Sequence, residues 1–180
     1  MTTTPEPLKE ASAIVLPGVG AFGQGFDRLV ELGMVEALDE EVRQRGKPFL
    51  GVCLGMQFLA DAGEEQGKHR GLGWICGTVR KMTSDDRRVR IPHMGWNEVE
   101  LTRESPLFAD LEHRPAFYFL HGYHFDVAES EAGAVLARCE HGRPYVAAVA
   151  KDNVFGVQFH PEKSQLAGLR LLRNFVQLAQ

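Results

Sequence analysis

The stretch Lys47-Pro-Phe-Leu-Gly-Val-Cys-Leu-Gly-Met-Gln57 constrains the chain more than any other. Its apolar opening predicts a short buried strand, the residues after Cys53 predict the first turn of a helix, and Cys53 falls on the bend between them. Gly51 and Gly55 stand two residues to either side, the G-x-nucleophile-x-G spacing of a strand-to-helix elbow. Such a bend strains its central residue, and the flanking glycines let neighbouring segments approach without a Cβ clash. The thiol is thereby carried to the carboxyl edge of a sheet. The positive end of the following helix predicts a lowered thiol pKa and a more nucleophilic Cys53. The Leu54 N–H is predicted to face any oxyanion beside the sulfur. On this stretch alone a buried core cysteine fits as well, so the choice rests on partners elsewhere in the chain.

With 180 residues and 44 % hydrophobic content, the chain is expected to form one domain over residues 1–180. A net charge of -4 offers no footprint for nucleic acid or an anionic membrane, so small-molecule and protein partners are expected. The cysteines at 53, 76 and 139 make neither a paired framework nor a C-x-x-C metal motif, which suits a reducing cytoplasm. No secretory leader or membrane-spanning run is read, and no repeat or linker marks a boundary.

Ala13-Ile-Val-Leu16 predicts a fully buried strand running into the glycine-rich loop Pro17-Gly-Val-Gly-Ala-Phe-Gly23. The spacing of Phe26, Leu29, Val30, Val35, Leu38 and Val42 predicts one amphipathic helix ending at Gly46. Strand, loop, helix, strand, elbow, helix is the alternation of a parallel α/β sheet, whose ligands bind at the carboxyl ends of the strands. Beyond it, residues 63–73 read as a surface loop, 74–82 as a strand and 84–88 as a charged turn. Pro92-His-Met-Gly-Trp-Asn97 reads as irregular, with a surface of the kind enriched in protein interfaces; Trp96 as a core residue is the other reading. Ala116–Leu120 predicts a strand leading to His121-Gly-Tyr-His124, a histidine pair without a third metal ligand at a known spacing. Residues 134–159 predict two or three strands, and 165–179 an amphipathic helix.

The partners of Cys53 stand in Val154-Phe-Gly-Val-Gln-Phe-His-Pro-Glu-Lys-Ser164. Residues i and i+2 of an extended chain project to the same side, so His160 and Glu162 can enter one site from one strand end. A cysteine nucleophile, a histidine that carries its proton and a carboxylate that orients the histidine form a triad recognised by role rather than order.

These segments together resemble the class I (triad) glutamine amidotransferases, and within that superfamily the glutaminase subunits of imidazole glycerol phosphate synthases. The elbow and His160-Pro-Glu162 are shared across the superfamily, while Pro17–Gly23 and Pro92–Asn97 point to that branch. The resemblance implies a flavodoxin-like fold with a mostly parallel central sheet flanked by helices. It implies that Cys53 attacks the carboxamide of L-glutamine, that His160 protonates the departing ammonia and that Glu162 orients His160. Leu54 and the Gly20 loop would form the oxyanion hole, and Gln57, Gly122 and Tyr123 would hold the substrate. Pro92, His93, Met94, Gly95, Trp96, Asn97 and Lys163 would face a TIM-barrel cyclase subunit in a heterodimer, which takes the ammonia in histidine biosynthesis. No cofactor or metal is implied.

Two departures from the family pattern stand out. His121-Gly-Tyr123 replaces the common His-Ser-Tyr, and the family's opening strand-helix-strand unit has no counterpart. Met1 is accordingly expected to be an internal start of a longer native protein, with unpaired strand edges if the unit is missing. Another triad amidotransferase or thiol hydrolase, and a catalytically dead scaffold subunit, are the alternative readings.

Overall fold

The structure is a computed structural model that describes residues 2–84 and 86–179. Met1, on which the internal-start reading bears, and Asp85 of the charged turn lie outside the described residues.

Among the described residues twelve strands follow one another: β1 (Ile14–Gly18), β2 (Phe49–Cys53), β3 (Ala62–Gly63), β4 (His69–Arg70), β5 (Gly77–Lys81), β6 (His93–Glu98), β7 (Glu100–Leu101), β8 (Ala116–His121), β9 (Tyr123–Val127), β10 (Val135–Glu140), β11 (Pro144–Lys151) and β12 (Val154–Val157). The α-helices are α1 (Phe22–Glu31), α2 (Met34–Leu38), α3 (Leu54–Gln57) and α4 (Gln165–Gln177). The central sheet has the order β1-β2-β12-β11-β10-β7. Its β1, β2 and β12 run parallel, and it continues antiparallel through β11, β10 and β7. The expected parallel sheet is therefore a three-stranded part of a mixed one. β1 forms one edge, paired only with β2 among the described residues, so the strand expected to be fully buried leaves Val15 47 % exposed.

β2 is buried at every position because cores lie on both faces of the sheet. Phe49 joins Phe22, Phe26, Leu29 and Trp74 on one face, while Leu50 and Val52 join Phe117, Phe159, Leu171 and Phe175 on the other. A strand buried on both faces reads as a continuous apolar run rather than an alternation, as Phe49–Val52 does apart from Gly51. Helices α1 and α4 contribute to opposite cores, the flanking arrangement that the resemblance implies.

Three local expectations need correction. The single helix predicted up to Gly46 is interrupted at Gly33, which adopts φ 64°, a conformation that suits glycine and ends a helix. The chain resumes in α2 and a π-helical turn over Asp39–Gln44, and Val30 is left 51 % exposed. Most of Pro92–Asn97 is not irregular either: from His93 on, His93–Glu98 is a strand paired antiparallel with β8 from His93↔His121 to Glu98↔Ala116. Gly95 accommodates this with φ 126°. The strand predicted over 74–82 is confined to Gly77–Lys81, and the loop over 63–73 carries the short strands β3 and β4.

Candidate functional site

Cys53 sits where β2 turns into α3, at φ 54° and ψ -109°. A positive φ on a residue with a Cβ is strained, and such strain persists only where the surroundings impose it. The glycines impose it here. A Cβ on Gly55 would fall on the Leu16 carbonyl of β1, and one on Gly51 would fall on the Gly55 carbonyl. Only glycine lets the elbow pack this tightly against the neighbouring strand.

His160 follows β12 and is held by its own backbone. Its N–H donates to the Tyr118 carbonyl at 2.8 Å, and its carbonyl accepts from the Ser164 hydroxyl at 2.6 Å. The same hydroxyl accepts the Tyr118 N–H at 3.0 Å, so Ser164 ties the histidine to β8. The imidazole Nδ1 donates to Glu162 Oε1 at 2.8 Å, leaving Nε2 free to take a proton.

Cys53, His160, Gly20, Leu54, Gln57, Gly122, Tyr123 and Lys163 line one cleft of about 400 Å³. The structure thus brings the elbow, the glycine loop and the His-Pro-Glu segment to one place. A roomier groove of about 500 Å³ between Trp96 and α4 contains neither cysteine nor histidine, so the smaller cleft is the one with chemistry. Gly20 has φ 99°, and a Cβ there would meet nothing within 4 Å. Backbone conformation, not space, calls for glycine at that position. At Gly122 a Cβ would make only ordinary contact, 3.7 Å from Pro92, so a serine side chain has room there.

The electrostatics reverse one expectation. Burial pushes the Cys53 thiol up to about 11, with Glu162 acting in the same direction. The Leu54 N–H, the Gln158 amide and Lys163 pull it down without overcoming the desolvation of a 7 % exposed residue. α3 has four residues, too few for a macrodipole to offset burial. The resting group is therefore a thiol, and for it to act as a nucleophile a base must remove the proton.

Three neighbours went unnoticed in the sequence. Gln158 is fully buried and donates its amide N–H toward Cys53 Sγ at 3.6 Å. Ser164 is the clamp described above. Glu65 lines the cleft and accepts the Phe22 N–H at 2.8 Å, capping the start of α1. Gln158 and Ser164 lie inside the singled-out segment but carry no spacing signal of their own, and Glu65 lies in a stretch that reads as polar surface. Of the substrate candidates, Tyr123 offers a carbonyl already taken by Gln57 Nε2 and His121 Nδ1, and the Gly122 carbonyl accepts the Met82 N–H.

Of the partner-facing candidates, Pro92 and Lys163 are exposed, Met94 is 62 % exposed and Trp96 50 %. Gly95 and Asn97 are half-buried. His93 turns inward at 3 % exposure and stacks on Phe119, because alternate residues of β6 face opposite sides. Among the described residues no cluster of three or more histidine, cysteine or acidic side chains has metal-binding geometry, and no helix is long and apolar enough to cross a membrane.

Residues 2–178 match the family model described as glutamine amidotransferase class-I. The chain is 49 % identical to the imidazole glycerol phosphate synthase subunit HisH of Zymomonas mobilis, over 98 % of this chain and 81 % of that protein. It is 47 % identical to the same-named subunit of Rhodospirillum rubrum, over 99 % of this chain and 84 % of that one. Among solved structures, a glutamine amidotransferase superposes with a TM-score of 0.71 at 21 % identity, covering 99 % of this chain and 84 % of the other.

Proposed function

We propose that this chain, which belongs to the class-I glutamine amidotransferase family, is the glutaminase subunit of an imidazole glycerol phosphate synthase, as its relatives in Zymomonas mobilis and Rhodospirillum rubrum are named. It hydrolyses glutamine to glutamate and ammonia, and the ammonia is used by a cyclase subunit. The observation that carries the mechanism is the buried His160, oriented by Glu162 at 2.8 Å and opening onto the same cleft as Cys53.

Because burial keeps the sulfur protonated, His160 Nε2 acts first as general base while Cys53 Sγ attacks the carboxamide carbon. The negative charge that develops on the carboxamide oxygen is met by the N–H groups of Leu54 and the Gly20 loop. The imidazolium then gives its proton to the departing nitrogen, and ammonia leaves. A water, activated by the same imidazole, hydrolyses the γ-glutamyl thioester and regenerates the thiol. Glu65 supplies negative charge at the cleft wall for the α-ammonium of glutamine, and Gln57 offers its amide oxygen to a substrate N–H. Pro92, Met94, Trp96 and Lys163 supply an exposed face for the cyclase, in a heterodimer.

The test is glutamine hydrolysis by the chain alone and with a cyclase subunit carrying a substrate analogue. Stimulation by the cyclase is the expected result. Full activity without it favours an independent thiol hydrolase, and none under either condition favours a scaffold.

A further inference from the structure

The polar groups behind Cys53 form a series whose direction is dictated link by link. The Tyr123 carbonyl can only accept, so Gln57 turns its NH2 toward it at 3.1 Å. The same NH2 lies 3.1 Å from the Gln158 side chain, which must present its oxygen there and keep its own NH2 for the Cys53 sulfur. On the other side of the carbonyl, His121 bonds through Nδ1 at 2.8 Å. Nδ1 therefore carries the proton and Nε2 the lone pair. His93 Nδ1 must donate to that lone pair at 3.2 Å, and His93 Nε2 accepts from Asn97 Nδ2 at 3.2 Å. Asn97 closes the series on the Glu140 carbonyl at 2.8 Å. Two backbone carbonyls thus set both imidazole tautomers and all three amide orientations, and no member can reverse alone.

We propose that Gln158 belongs to the reacting centre, aiming its amide N–H at the Cys53 sulfur, and that His121 and His93 are positioning residues that hold this orientation through the Tyr123 carbonyl and Gln57. The proposal rests on the function above for the role of Cys53 as nucleophile. His93, His121 and Gln158 are 3, 6 and 0 % exposed, so solvent does not compete for these bonds. Burial holds His93 down at about 3 and His121 at about 4, keeping the series neutral where the enzyme works. It begins on β6, whose opposite face exposes Met94 and Trp96, and so runs from beneath the proposed cyclase surface to the sulfur.

Alkylation of Cys53 by iodoacetamide, read by mass spectrometry on its peptide at fixed pH in the isolated chain, tests this without glutamine or partner. Gln158→Glu keeps the oxygen that Gln57 donates to but replaces the donor to sulfur with charge, and Gln158→Leu removes both. The expected rate is roughly three- to tenfold lower in each, because the thiolate loses a donor. His93→Phe keeps a ring on Phe119 without donor or acceptor and slows alkylation by a smaller factor, while His93→Gln restores it. Glu162 and Lys163, which also act on the thiol, are untouched in all four variants. Mere loosening of the fold would expose the sulfur and speed the reaction. An unchanged or faster rate in Gln158→Glu overturns the role of Gln158, and the same result in His93→Phe overturns that of the histidines. Should Gln158→Leu fail to fold, Gln158→Glu decides. Absence of glutaminase activity in the unmutated chain, both alone and with a cyclase subunit, would remove the proposed function and leave this result standing.

Discussion

His160 and Glu162 are joined at 2.8 Å although the imidazole is buried, with 4 % of its side chain exposed, and the carboxylate is 53 % exposed. The carboxylate meets the imidazole from the rim rather than from within, where solvent screens its charge. Glu162→Gln retains an oxygen for the Nδ1 proton and is expected to lower kcat by about 10- to 100-fold, with KM nearly unchanged. Steady-state glutaminase kinetics in the presence of a cyclase check this; a KM effect alone would place Glu162 in substrate binding.

Cys53→Ala is expected to abolish glutamine-dependent synthesis while the assembled synthase still works on added ammonium. In the proposed mechanism the sulfur is needed only to release ammonia. Residual turnover of glutamine by this variant would remove Cys53 from the mechanism.

Trp96→Ala is expected to weaken association with the cyclase and to leave the melting temperature of the isolated chain within about 2 °C of the parent. The residue is 50 % exposed and meets Tyr118 edge-on at 6.2 Å, so little of its area stabilises the monomer. Titration calorimetry and thermal melts separate the two effects, and a large drop in melting temperature would mark Trp96 as core.

Gly55→Ala is expected to destabilise the chain by about 3 kcal/mol or more, since its Cβ would overlap the rigid Leu16 carbonyl. Urea unfolding measures the loss. Gly133→Ala, where a Cβ would meet nothing within 4 Å, serves as the control.

Alkali is expected to destabilise the fold through its buried thiols. Burial pushes Cys139 up to about 12 from 9.0 and Cys53 to about 11. Between those values the unfolded chain binds fewer protons than the folded one, so this stabilisation, complete below pH 9.0, is lost as pH rises through the folded pKa values. Calorimetry across this window should show a falling melting temperature, and Cys139→Val a shallower fall. Equal slopes would exclude Cys139 as a contributor.

Local chemistry determined a good deal of this protein. The ±2 glycines specify an elbow at Cys53 because only a residue without Cβ tolerates such close approach, and that rule acts over five residues of chain. The i, i+2 spacing of His160 and Glu162 announced that the two side chains meet, although they do so through a 3-10 turn over Pro161–Lys163 and not along the extended backbone from which the contact was expected. The alternation of elements likewise announced an α/β sheet, and the resemblance implied its flanking helices.

Tertiary structure decided what depends on environment. Pro92 and Gly95 argued against a strand, yet pairing with β8 makes one, since ladder hydrogen bonds outweigh local propensity. The same pairing turned His93 into the core and left Trp96 outside. The helix start after Cys53 argued for a thiolate, yet burial raised the pKa, because desolvation sums over all surrounding atoms and not over neighbours in sequence. Gln158 found the sulfur, Glu65 found the cleft and Ser164 found β8 through contacts between residues 43 to 105 positions apart. Spacing along the chain reports where the backbone bends and which way a side chain points; what that side chain meets is settled only when distant segments are packed together.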